Sequence, residues 1–260
     1  MLKSITTVFN YRVLIVFSIT VAVFFVCKYF NYSLENNYNF FSIIVIFPLV
    51  FSITSAYQKR QSVLLYISMF RSNIKLINDH FKSSNLKPTD MIRVQKSLLE
   101  ISNDNLNHLR SNSNETLKKV RKCIDKLSED IVRLKNVLTD REVSYINRSK
   151  KELNDCVEIL HSYKIHNTPR SLKIYCLLFI YIYPFIFVPG VLHNNLDSSA
   201  ALTFYLLFLS FLTSFVLMAL YNIQDYLEDP FDNEGLDDIK LDNYAFDDSE
   251  LIEKGNKSKT

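Results

Sequence analysis

Four stretches of the 260-residue chain carry almost no charge, and each is 18 to 23 residues long. They are residues 13–30, 39–57, 172–192 and 199–221. Lys28 and Lys173 are their only charged residues, each near a segment end. A helix rises about 1.5 Å per residue, so these runs measure roughly 27–35 Å, the thickness of a bilayer core. A long lysine side chain near a segment end reaches the headgroups. Tyr11, Tyr29, Tyr32, Tyr38, Tyr57 and Tyr221 lie at or beside the boundaries, as an interfacial aromatic belt does. The alternative is a set of buried core helices, but a chain of this length is too short to bury four such runs. The first run is too long for a cleaved signal peptide and no small-x-small site follows it, so it is expected to stay. The fold class is therefore an all-α integral membrane protein with four transmembrane helices and a helical soluble region.

Composition supports that division. Only 3 residues are Gly, which excludes a collagen-like or low-complexity chain, and 20 Phe with 15 Tyr exclude a disordered one. The connectors set the orientation. Residues 31–38 and 193–198 hold one acid each and no Lys or Arg. Residues 58–171 hold 22 Lys and Arg against 13 Asp and Glu. The positive-inside rule places that segment in the cytoplasm, and an even number of spans brings both termini to the same side. Four regions follow: 1–57 with spans one and two, 58–171 cytosolic and helical, 172–221 with spans three and four, and 222–260 as an acidic tail. The tail holds 12 acids and 4 Lys. It either pairs with the basic middle or is solvated independently.

Within the middle region, Leu117, Val120, Ile124, Leu127, Ile131, Leu134 and Leu138 repeat at 3-4 spacing. That spacing describes a helical seam, either a self-associating coiled coil or an amphipathic helix packed on its neighbours. Leu153, Val157 and Leu160 continue the pattern, and residues 83–90, with Pro88, read as a turn. Cys27, Cys123, Cys156 and Cys176 lack metal-ligand spacing and read as reduced structural thiols. No nucleophile elbow, glycine-rich phosphate loop or His-Glu-x-x-His is present, and the five His are scattered, so the chain is not expected to be an enzyme. Nucleic acid is not an expected partner, because a membrane-tethered inner face is basic by default.

Three patterns together resemble the bestrophin-like family of membrane channels. The first is the order of parts: two spans, about a hundred helical residues, two spans and an acidic segment. The second is Ile43, Phe47 and Phe51 at i, i+4 and i+8, on one helix face. They precede Ala56-Tyr57-Gln58-Lys59-Arg60, which resembles the family's Tyr-x-Arg-Trp region. The third is Asp229-Pro230-Phe231-Asp232 followed by Asn233-Glu234-Gly235-Leu236-Asp237-Asp238, similar to the family's Asn-Pro-Phe-Gly and acidic run. The chain departs from the family in having no Trp, in Asp for Asn before Pro-Phe, and in Asp for the Gly after it.

The resemblance implies a homopentameric channel for small inorganic anions such as chloride or bicarbonate. It implies a hydrophobic pore neck of Ile43, Phe47 and Phe51, where apolar rings gate by dewetting. It also implies a calcium clasp built from Asp229, Glu234 and Asp237, with Asp232 and Asp238 close enough to contribute. Calcium takes 6–8 oxygens, which several carboxylates on a short turn supply. The segment is not an EF-hand, since Gly235 at the sixth loop position would make Pro230 the first ligand. The bland readings are a lipid-facing apolar stripe and an acidic segment docked on basic helices. The functional alternatives are a cation-conducting relative and a membrane-anchored interaction protein that conducts nothing.

Overall fold

The computed structural model describes residues 10–35, 38–111, 113–193, 195, 199–232 and 238–246. Among them are seven α-helices and no strand. They are α1 (Tyr11–Tyr29), α2 (Tyr38–Ser83), α3 (Pro88–Arg110), α4 (Asn114–Leu134), α5 (Asp140–Ile165), α6 (Arg170–Leu192) and α7 (Ala200–Glu228), with a short 3-10 turn at Leu241–Tyr244. The chain divides into two compact units. The first comprises residues 1–60, 167–230 and 234–238, and the second comprises 61–166, 231–233 and 239–260.

In the first unit, α1, α6 and α7 pack on one another. Val13, Val16, Val45, Leu49, Cys176, Ile180, Leu217 and Met218 form one buried cluster. Val23, Phe24, Cys27, Val188, Leu192 and Leu206 form a second. Thr20 donates to the Val16 carbonyl and lies 3.2 Å from Ser214 Oγ, so the polar groups between α1 and α7 are satisfied. The outward surface is apolar: Leu14, Phe25, Phe204 and Phe208 are all exposed. Among the described residues, α1, α6 and α7 are long and apolar enough to cross a membrane. Faces this apolar and this extensive are stable only in lipid, and the protein is an integral membrane protein. Pro184 and Pro189 lie inside α6, and the Pro189 carbonyl accepts from the Leu34 N–H. Each proline removes the N–H that would reach the carbonyl four residues before it, whereas the Pro189 carbonyl lies in the last turn of α6, where end carbonyls need outside donors.

The second unit is a helical bundle with one core. The seam from Leu117 to Leu138 is buried throughout and packs within that core, on α3 and α5. It is an amphipathic packing face within one chain. Leu153, Val157 and Leu160 of α5 join it, as do Val63, Ile67, Phe70, Ile74, Ile77 and Phe81 of α2. The turn at residues 83–90 is shorter than the sequence suggested. α3 already begins at Pro88, because proline's fixed φ and missing N–H suit the first helical position. Thr139 and Glu142 form a reciprocal capping box that starts α5. Part of the acidic tail docks on this unit: Ile239, Leu241 and Phe246 are buried in its core, and Asp242 pairs with Arg110 at 2.5 Å. Pairing of tail and basic middle is thus the arrangement for residues 239–246.

The sequence boundaries missed two continuities. α2 does not stop at Tyr57 but continues to Ser83, and α7 runs past Tyr221 to Glu228. Neither junction contains a glycine or proline to break the helix.

Candidate functional site

The first 20 residues of α2 have two faces. Val45, Leu49, Ser52 and Ala56 recur at helical spacing and are buried within the first unit. Ile43, Phe47 and Phe51 lie on the opposite face and are 61%, 62% and 56% exposed. The two Phe rings meet edge to face with centroids 4.7 Å apart. Pro48 lies between them inside the helix. It removes one N–H from the ladder and keeps the residue 44 carbonyl from its usual i+4 partner. The three apolar residues therefore share one outward stripe on one helix, as their spacing predicts.

An ionic cluster that the sequence reading did not pick out joins four segments of this unit. Arg12 Nη1 donates to Asp225 Oδ2 at 2.9 Å. Lys173 Nζ donates to Asp225 Oδ1 at 3.0 Å and pairs with Glu228. The Thr168 N–H donates to Glu228 Oε1 at 2.5 Å. Lys59 Nζ donates to the Glu228 carbonyl at 2.9 Å and to Asn167 Oδ1 at 2.8 Å. The Arg12 guanidinium also lies 5.5 Å from the centre of the Tyr221 ring. Glu228 is 2% exposed, so its charge depends on these partners. The cluster ties the last turn of α7 to the starts of α1 and α6 and to α2. The available signal was a cation at each of three span boundaries, with two acids, Asp225 and Glu228, one and two helical turns past the end of the fourth.

The acidic segment begins one residue later. Asp229 is half-buried, Asp232 is exposed and Asp238 is half-buried. Glu234 and Asp237 lie outside the described residues. Among the described residues, no three His, Cys, Asp or Glu side chains are grouped closely enough to hold a metal ion. The carboxylate chemistry suits calcium, but Asp229, Asp232 and Asp238 do not by themselves form a cluster of ligands.

The second unit gathers two of the histidines that look scattered in the sequence. His108 Nε2 lies 3.1 Å from His161 Nδ1, and His108 Nδ1 lies 2.7 Å from Thr116 Oγ1. Thr116 Oγ1 donates its proton to the Ser113 carbonyl. It must therefore accept from His108 Nδ1–H, which leaves His108 Nε2 to accept from His161 Nδ1–H. Lys164 donates to the carbonyls of His108 and Ser111, capping the end of α3. Burial, then Lys164, His161 and Arg121, push His108 down to about 4. His161 is lowered by burial against the pull of Glu158, which itself holds Arg121 through two 2.7 Å bonds. Burial pushes the Cys123 and Cys156 thiols up to about 11, so neither is a ready nucleophile. All four cysteines are buried and unpaired by disulfides.

No family model matches the sequence, and no curated protein matches it. Solved structures do. A crystal structure of a bacterial bestrophin homologue from Klebsiella pneumoniae, phased on zinc, superposes with a TM-score of 0.75 at 13% identity, covering 90% of this chain and 93% of that chain. A variant of the same homologue gives 0.74 at 12% identity over 90% and 95%. A crystal structure described only as a membrane protein gives 0.76 at 12% identity over 90% and 93%. The chain has a bestrophin-like fold.

Proposed function

We propose that this bestrophin-like chain is one subunit of a homo-oligomeric ion channel, a pentamer with four spans per subunit, that passes small inorganic anions. The observation that carries the reading is the likeness to bacterial bestrophin homologues over nine-tenths of both chains. Beside α1, α6 and α7, the remaining span is the uncharged start of α2, residues 39–57. In the assembly its outward stripe faces the axis. Ile43, Phe47 and Phe51 then form three apolar rings, a neck that closes to water by dewetting. A Phe ring presented edge-on offers its positive rim, which favours an anion over a cation. The Arg12–Asp225–Lys173–Glu228 cluster holds the inner end of the helices in register around that axis. Both termini lie on the cytoplasmic side.

The test is reconstitution of purified protein into a planar bilayer under a chloride gradient, with its mass measured in detergent. A reversal potential near the chloride equilibrium value supports the anion channel. Phe47→Ala with Phe51→Ala widens the neck and is expected to raise unitary conductance; unchanged currents refute a neck at these residues. Calcium regulation rests on the acidic segment and requires Glu234 and Asp237 to join Asp229, Asp232 and Asp238. Currents identical with calcium and with chelator remove it from the proposal. A folded oligomer that is silent in every condition replaces the channel with a membrane-anchored scaffold.

A further inference from the structure

A hollow of about 390 Å³ opens on the outward face of the first unit, where α2, α6 and α7 meet. Its floor is Tyr183, Phe187 and Leu217, all buried, and its rim is Ile46, Leu212 and Val216, all exposed. The Tyr183 and Phe187 rings stack 5.1 Å apart and give the floor a flat aromatic surface. Thr213 also lines the hollow, but its hydroxyl already donates to the carbonyls of Leu209 and Ser210, each at 3.1 Å. No lining residue is charged. Counted from the helix ends at Tyr38, Leu192 and Ala200, Ile46, Tyr183 and Leu212 lie about 12, 14 and 18 Å along their helices at 1.5 Å per residue. These depths bracket the middle of a hydrocarbon core about 30 Å thick.

We propose that this hollow is a binding site for one acyl chain of a bilayer phospholipid. Water does not fill it, because an apolar cavity offers water no partners and stays dry. Left empty, its walls lose the dispersion contacts that a close-packed neighbour supplies. At mid-bilayer depth the medium itself supplies methylene chains. The approach to the site fits lipid better than a second copy of this chain. Tyr205, Phe208, Leu212 and Val216 form one exposed stripe of α7 at spacings of three, four and four, and the stripe leads into the hollow. Helices dock closely in membranes where small residues line the contact, and this stripe contains no Gly, Ala, Ser or Thr. Large side chains flanking a hollow instead form a channel one alkyl chain wide. The site requires only that the protein is embedded in a bilayer, and it stands whether or not the protein conducts.

Two measurements on the full chain test this. The sequence contains no Trp, so an introduced one is the only indole signal. Val216→Trp places it at the rim of the hollow, and Phe25→Trp places it on the exposed face of α1. Each variant is reconstituted into dioleoylphosphatidylcholine vesicles and into vesicles of the same lipid brominated across its double bonds. Loss of indole fluorescence to a similar extent at both positions is expected. Quenching of Phe25→Trp alone overturns the proposal and identifies a second copy as the cover. The other measurement separates a seated chain from passing contact with fluid lipid. Native mass spectrometry after detergent washing should find phospholipid retained by the wild-type protein. Val216→Phe and Leu212→Phe, which both fill the hollow from its rim, should lose most of it while keeping the wild-type melting temperature. Equal retention by wild type and a folded filling variant overturns the site, as does a wild-type protein that washes free of lipid.

Discussion

Acid should loosen the second unit through one residue, His108. Its imidazole accepts from His161 on one side and donates to Thr116 on the other, so an added proton at Nε2 would face the His161 N–H directly. Lys164 and Arg121 add further positive charge, and only Glu158 opposes them. An unfolded chain takes up this proton near pH 6.5, whereas the folded chain waits until about 4. The lowered value fixes the sign. The stabilisation is complete above pH 6.5 and is lost as pH falls from there to about 4, because the unfolded state binds the proton first. At 1.36 kcal/mol per pH unit the loss reaches at most about 3 kcal/mol. The assay is thermal unfolding by circular dichroism across that pH range, for the wild-type chain and for His108→Gln. Gln keeps hydrogen-bonding capacity without titrating, so the variant should lose less stability on acidification. Carboxylates contribute to both curves and cancel in the difference. Parallel pH dependences in the two proteins would refute the argument.

Three other outcomes are expected. Leu127→Ala, at a fully buried position in the helical seam, should cost about 2–5 kcal/mol of second-unit stability, measured by denaturant unfolding. Lys173→Met removes a cation from buried Glu228 and should cost about 3–5 kcal/mol, with Lys173→Met/Glu228→Gln recovering part of it in detergent thermal melts. A double variant no more stable than the single would place the loss in packing rather than charge. Phe246→Ala removes a buried anchor of the tail strap, and limited proteolysis should then cut within residues 238–246 at protease levels that spare the wild-type chain.

Much of this molecule is local and therefore readable along the chain. An uncharged run of bilayer length has few stable fates, since lipid offers its backbone no hydrogen bonds and only a helix satisfies them internally. The stripe of Ile43, Phe47 and Phe51 follows from helical spacing alone, as does the buried seam from Leu117 to Leu138. The same local logic misplaced the ends of α2 and α7. A helix continues wherever nothing breaks it, and a change from apolar to polar side chains is not a break.

What the sequence by itself determined is which segments are helical, which are apolar enough for lipid, and which side of each helix is greasy. What only the tertiary structure decided is which charged groups meet. Arg12 and Asp225 are 213 positions apart, yet they lie 2.9 Å from one another. His108 and His161, 53 positions apart, share a hydrogen bond. Asp242 stays exposed to solvent, yet it meets Arg110, 132 positions away, at 2.5 Å. The reason is physical: apolar periodicity repeats within one helix, whereas an ion pair or hydrogen bond between distant segments depends on how separate helices pack. Periodicity shows which face a helix buries but not which partner it is buried against.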